Sequence, residues 1–397
     1  MELSAGQRLQ YLDLIRGIAV LGLVLMNVTH MGMFELGYVQ HVPPLLTDQV
    51  VTVLNALLFD GRFRSLFCLL FGIGLYLQYQ SYQRQQLDPR QILKTRLNWL
   101  LCFGFIHCVF IWPGDILIFY ALCGFVLLRY LDTSHQVLLR KGIWWFVLGI
   151  GIFLGEVALS AHFSEPVLRS SNDFTESYQT LMEPYWQYAG FNFAIALIYV
   201  FTFPLLSMFY LTGVMMIGLA LFKSGKLQSG FETQQTRVLW SVTVLVSLIE
   251  VVTFLLVPQY SEYFVGVPGA IAGLTMALLI WHYVIVLKLA ERSTFLIQAL
   301  KRSGTLAFTL YIGQSIILVT LLRFLYPQWH LYFSLANYLA LAILIIALQL
   351  VFAFAYKSRF KQGPLESLWR RLVARRIDKL NKSLADKIDQ ARGSHSA

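Results

Sequence analysis

Two apolar stretches of the chain carry polar side chains at spacings that could do chemistry. In "YLDLIRGIAVLGLVLMN" (11–27) and the "VTH" that follows, Asp13, Arg16, Asn27 and His30 fall at about 0°, −60°, −40° and −100° when wound at about 100° per residue. They share one face of a helix. In the second stretch Arg96 and His107 are again eleven residues apart, and the chain breaks at Pro113 and Gly114 just before Asp115. That offset is three helical turns, about 16.5 Å, so each stripe sets a cation toward one end and an amide or imidazole toward the other. A carboxylate beside His107 would raise its proton affinity and make it a better base, while guanidinium groups suit phosphate. The alternative is packing chemistry: Asp13 and Arg16 as an i, i+3 pair at an interface, with Asn27, His30 and His107 bridging neighbouring helices by hydrogen bonds. Both readings stay open at this level.

The elements that must position these groups follow from composition. Of 397 residues 57% are hydrophobic and 13% charged, against about 25% charged in soluble domains, which excludes an ordinary water-soluble globule. With 9 Trp and 20 Tyr available for membrane interfaces, the class expected is a polytopic membrane protein. The fold class expected is an all-α helix bundle of about ten transmembrane helices, near 12–31, 64–80, 96–112, 115–131, 142–160, 192–221, 238–258, 265–287, 304–325 and 334–356. The bundle would fill residues 1–356, and residues 357–397 would form a basic tail with an amphipathic helix.

Charge sets the orientation. Arg84, Arg90, Lys94 and Arg96, then Arg140 and Lys141, then Lys223, Lys226 and Arg237, then Lys288, Arg292, Lys301 and Arg302 fall in alternate loops, which therefore belong in the cytoplasm. The other loops are 32–63, "WPGD", an acidic one with Glu165, Asp173, Glu176 and Glu183, and those at 259–264 and 326–333. Both termini are then cytoplasmic. No cleavable leader is expected, so the first span stays as an anchor. The loop at 161–191, with its "SSNDFTES", reads as a surface turn rather than a folded unit.

The tail from Lys357 holds 11 Lys or Arg and 4 Asp or Glu, which suits anionic lipid better than nucleic acid. Its "KQGPLESLWRRL" places Leu365, Leu368, Trp369 and Leu372 at helical spacing, for a helix on the inner leaflet or one docked on the cytoplasmic loops. Small residues four apart, Gly151 with Gly155 and Gly269 with Gly273, mark expected helix contacts. The four Cys (68, 102, 108, 123) lie within expected spans, and their spacing suits neither a disulfide framework nor a metal site. Glu156 and Glu250 could carry protons or pair with Arg or Tyr, whereas His282, Gln314 and Gln349 read as interhelical hydrogen-bonding groups.

"LDLIRGIAVLGLVLMN", "SLFCLLFGIGL", "RLNWLLCFGFIHCVFIWPGDILIFYALCG", "SGTLAFTLYIGQSI" and "FKQGPLESLWR" resemble, in that order, the blocks of the YeiB-like family of bacterial inner-membrane proteins. The opening block is also similar to that of a wider group of transmembrane acyltransferases. There, the first helix carries an Arg, ten intervening residues and a His implicated in acyl transfer. Arg16 matches the Arg, but the matching position here is Asn27, whose amide cannot act as a base. His30 and His107 are the candidates to replace it, and His107 is preferred because the resembling block includes it together with Gly-Asp-Ile-Leu.

The resemblance implies acyl transfer at the inner membrane from a cytoplasmic donor of acyl-CoA type to a periplasmic or membrane-bound hydroxyl or amine. Arg16, Asp13, Arg96 and His30 would bind substrate, with the guanidinium groups taking donor phosphate. His107 would be the base, oriented by Asp115, and Asn27 would hold the acyl carbonyl or its oxyanion. A transporter using Asp115, Glu156 or Glu250 for protons is the competing expectation, followed by a non-catalytic scaffold. No tightly bound cofactor is expected. Expected partners are membrane lipids and a small-molecule, glycan or lipid acceptor, with no nucleic acid and with homo-oligomerisation left open.

Overall fold

Apolar segments in lipid must satisfy their own N–H and C=O groups, which a helix does internally. The computed structural model describes residues 5–163, 167–256 and 266–393, and these form helices and turns with no strand. Glu165, the expected loop at 259–264 and the last four residues of the tail lie outside the described residues.

In chain order the helices are α1 (Ala5–Asn27), α2 (Leu46–Leu54), α3 (Arg62–Arg84), α4 (Pro89–Phe110), α5 (Leu117–Leu127), α6 (His135–Phe163), α7 (Asn172–Leu181) and α8 (Tyr185–Leu206). They continue with α9 (Met208–Lys223), α10 (Thr233–Leu256), α11 (Gly266–Val286), α12 (Phe295–Thr305), α13 (Ala307–Val319), α14 (Leu335–Arg359) and α15 (Pro364–Gly393). Among the described residues eight segments are long and apolar enough to cross a membrane, beginning with Leu9–His30 and ending with Leu335–Arg359. The protein is an all-α polytopic bundle.

The expected span at 192–221 is two helices. α8 ends and α9 begins at Ser207, whose backbone turns to φ −120°, ψ −25°. Pro204 has no N–H to give the ladder just before that break, while the apolar run continues through it unbroken. Two presumed loops also contain helices. The segment 32–63 holds α2, and 161–191 holds α7, which starts where Ser171 Oγ accepts the N–H of Phe174.

These additions build a cap over one end of the bundle. Arg169 donates to the carbonyls of Val39 and Leu331, both at 2.8 Å, His330 at 3.1 Å and Phe333 at 3.2 Å. Asp48, fully buried, accepts from the Tyr38 hydroxyl and from Leu335 N at 2.9 Å. Residues 167–191 are thus a clasp rather than a surface turn.

Close backbone crossings fix the helices that carry the site. α1 meets α12 at Gly17 and Gly304, where a Cβ on either would run into the other helix's backbone. Gly142 and Gly149, two turns apart on one face, admit α9 against α6, with Tyr210 N 2.4 Å from where a Gly149 Cβ would lie. Gly151 and Gly155, the expected contact pair, point elsewhere and meet nothing within 4 Å among the described residues. Gly273 does serve as expected, against the backbone of Gly61.

Candidate functional site

α4 ends at Phe110, and the Pro113–Gly114 turn brings the chain back so that Asp115 stands at the start of α5. Its Oδ2 accepts the N–H of Ile118 at 2.7 Å, capping that helix, and its Oδ1 lies 2.9 Å from His107 Nδ1. The turn fits because Gly104 has no side chain: a Cβ there would sit 2.9 Å from Asp115 Oδ2. The Tyr311 hydroxyl accepts from Ile116 N at 3.2 Å and lies 3.5 Å from Asp115 Oδ1. Both members of the pair are buried, His107 1% and Asp115 3% exposed. With Nδ1–H donating to the carboxylate, His107 Nε2 keeps its lone pair and has no hydrogen-bond partner among the described residues.

Two cavities approach this pair from opposite ends of the bundle. The cap-side cavity, about 350 Å³, is lined by Asn27, Arg64, Asp115, Glu156, Tyr199 and Tyr210, among others. The tail-side cavity, about 640 Å³, is lined by Arg16, Arg96, Arg370, Tyr120 and Tyr311 among others. Ile116 lines both, so they abut at the residue next to Asp115.

Asn27 and Asp115 are therefore brought together in one cavity, and Arg16 and Arg96 in the other. His107 lines neither and touches the cap-side cavity's wall through Asp115. His30 also lines neither: its Nδ1 is 3.3 Å from Phe34 O, and its carbonyl accepts from Trp112 Nε1 at 2.9 Å, which holds the turn beyond α1. Asp13 pairs with Arg16 at 2.8 Å, and Arg16 also reaches the carbonyl of Gly304 at 3.4 Å. The guanidinium of Arg96 instead lies 3.8 Å from the ring of Trp369.

The remaining polar residues divide in the same way. Glu250 faces the buried Arg62 at 4.0 Å, the pairing alternative, and Arg62 also donates to Ser247 Oγ at 2.6 Å. Gln349 donates to the carbonyl of Leu310 at 3.1 Å, and His282 Nδ1 accepts from Phe231 N at 2.9 Å. Glu156 lines the cap-side cavity and has no ion pair among the described residues.

Sequence reasoning missed Arg64, Tyr210, Tyr311 and Arg370. Arg64 lies over the Tyr210 ring at 5.8 Å inside the cap-side cavity. Its position in "GRFRSLF" was a usable signal, since two Arg at the mouth of an apolar run need partners.

Residues 221–376 match a family model described as "Protein of unknown function (DUF418)". Over nearly its full length the chain is also similar to three bacterial proteins. The "Uncharacterized protein YeiB" of Escherichia coli (strain K12) is 28% identical, covering 92% of this chain and 96% of that protein. The "Uncharacterized protein YxaH" of Bacillus subtilis (strain 168) is 25% identical over 92% and 94%, respectively. An "Uncharacterized 39.9 kDa protein in amylase 3'region" of Bacillus acidopullulyticus is 24% identical over 94% and 96%.

Proposed function

We propose that the chain, similar over nearly its full length to YeiB-like proteins, is an inner-membrane acyltransferase moving an acyl group from an acyl-CoA donor to a hydroxyl or amine acceptor. The observation that carries this reading is the pair of cavities abutting at Ile116: one is lined by guanidinium groups, the other by a carboxylate backed by an imidazole. The donor's phosphates would lie in the tail-side cavity near Arg96, and its acyl end would reach Ile116. The acceptor would enter from the cap side.

As the acceptor's oxygen or nitrogen attacks the acyl carbon, its proton passes to Asp115, the member of the pair that lines the cavity. His107 acts through Asp115, its Nδ1–H orienting the carboxylate across the 2.9 Å contact. The Asn27 amide donates to the oxyanion as it forms. The C–S bond then breaks, and the departing thiolate takes the proton from Asp115, leaving acylated acceptor, free thiol and the carboxylate restored. The test incubates purified protein with labelled acetyl-CoA and envelope extract. Label should pass to an extract component with the native chain and not with Asp115→Asn. Transfer that survives this substitution would sink the assignment.

A second reading, transport, draws on the same geometry, because two cavities parted at a single residue also suit alternating access. Its carboxylates are Asp115 and Glu156 in the cap-side cavity. Uptake of a labelled envelope extract fraction into proteoliposomes, lost on Glu156→Gln with no acyl transfer, would favour it.

A further inference from the structure

The tail-side cavity is partly walled by the tail. Glu366, Trp369, Arg370, Val373, Ala374 and Ile377 of α15 line it together with the bundle. Docking is specific. Glu366 Oε1 accepts the N–H groups of Phe308 at 2.9 Å and Thr309 at 3.0 Å at the start of α13, and Trp369 Nε1 donates to Arg96 O at 3.2 Å. Val373 is 3% exposed.

This docking decides which charges are left for a ligand. Arg16 is neutralised by Asp13, and Glu366 is spent on a helix N-terminus, where its charge opposes the positive end of the dipole. Arg96 has an aromatic face and no carboxylate within 4.0 Å, and the Arg370 guanidinium makes no hydrogen bond or ion pair among the described residues. Two guanidinium groups therefore line one cavity without an anion. Their planar forks match phosphate oxygens, and the half-buried Arg96 in particular is stabilised by such a partner.

We propose that the docked tail helix completes a binding site for a phosphate-bearing ligand, in which Arg370 of the tail and Arg96 of the bundle are the phosphate-binding residues. The inference rests on the acyl-donor reading for the ligand's role, but binding alone tests it. The phosphate could come from a soluble nucleotide-like molecule or from a lipid headgroup, since the tail emerges beside the membrane helices.

The experiment uses the full chain in a neutral detergent. Calorimetry with coenzyme A and with ADP covers the soluble source, and native mass spectrometry with phosphatidylglycerol covers the lipid. The native chain should bind one of these, and Arg370→Gln should weaken it by roughly tenfold, the scale of one charge-assisted contact. Arg371→Gln, exposed and outside the cavity lining, should leave binding unchanged. Because Arg370 is exposed, its substitution should not unfold the chain, which the elution profile checks. If phosphatidylglycerol adducts, and not coenzyme A, depend on Arg370, the site stands with a lipid ligand. If no probe binds, or if Arg370→Gln and Arg371→Gln bind alike, the proposal is overturned. Arg370-dependent binding of coenzyme A without any acyl transfer would keep the site and remove the acyltransferase reading.

Discussion

The cap and the tail-side cavity treat polar groups in opposite ways. On the cap side they are tied to one another: Arg169 to four carbonyls, Asp48 to Tyr38 and Leu335, and His330 to the Tyr338 hydroxyl at 2.7 Å. On the tail side the carboxylates are used up locally, Asp13 on Arg16 and Glu366 on a helix terminus, and guanidinium groups are left facing a cavity. A closed hydrogen-bond network over-determines geometry, whereas cations without anions invite a ligand. Between these regimes stand Asp115 and His107, bonded to each other yet with the carboxylate at a cavity wall. Both features are needed in a group that must hold its position and still exchange a proton.

The largest effect should come from breaking that junction. Asp115→Ala removes the cap of α5 and leaves His107 buried without its partner, a loss on the order of 3–5 kcal/mol for a broken buried pair. Thermal unfolding in detergent should show a large fall in Tm. Asp115→Asn can still accept from Ile118 N and should fall much less while losing acyl transfer. Equal losses of stability in the two variants would mean that capping matters less than the charge beside His107.

Acid should loosen the cap before it loosens the tail side. Burial lowers the pKa of His330 to about 4, an effect that Arg169 reinforces and the Leu322 carbonyl opposes. The unfolded chain takes up this proton near 6.5 and the folded one only near 4. The contribution of His330 to stability is then constant above about pH 6.5 and falls as pH drops from there through about 4, by roughly 3 kcal/mol in total. Hydrogen exchange over 328–338 should accelerate through that window and stop doing so in His330→Asn. No change with pH would mean that water already reaches the imidazole.

The clasp comes next. Arg169→Ala removes four contacts to carbonyls and should cost about 2 kcal/mol, since hydrogen bonds to a charged group are worth about 1.5–3 kcal/mol and do not add. Limited proteolysis should cut α7 sooner, while binding in the tail-side cavity stays unchanged. Coupling between the two would show that cap and tail side are not independent.

The same contrast explains what could be read from the sequence. Hydropathy marks helices because every membrane helix must be apolar over its length, and the His107–Asp115 pair was legible because a Pro-Gly break six and seven residues after a membrane His folds the chain back on it. The break at Ser207 left only Pro204 as its mark, within a run whose apolar character continues on both sides. Arg169 was hidden because loop composition says nothing about which carbonyls lie nearby. Arg370 was read with the tail's other charges as a lipid contact, since its neighbours in space come from α1, α4 and α13. Asn27 was expected beside an imidazole. It shares a cavity with Asp115 instead, because His107 points to the far side of that carboxylate.

The smallest expected effect tests the tail side. Glu366→Gln keeps the shape of the cap on α13 but gives up the charge that faces the helix dipole, a loss of about 1 kcal/mol. If the tail is held mainly by Glu366, a spin label at exposed Arg375 should become more mobile in this variant. Binding of a phosphate-bearing ligand would then weaken even though Arg370 is intact, because an undocked tail presents its guanidinium at a lower effective concentration. If the label stays fixed, Trp369 over Arg96 and buried Val373 carry the docking, and the cation at the cavity mouth is set by packing rather than by charge.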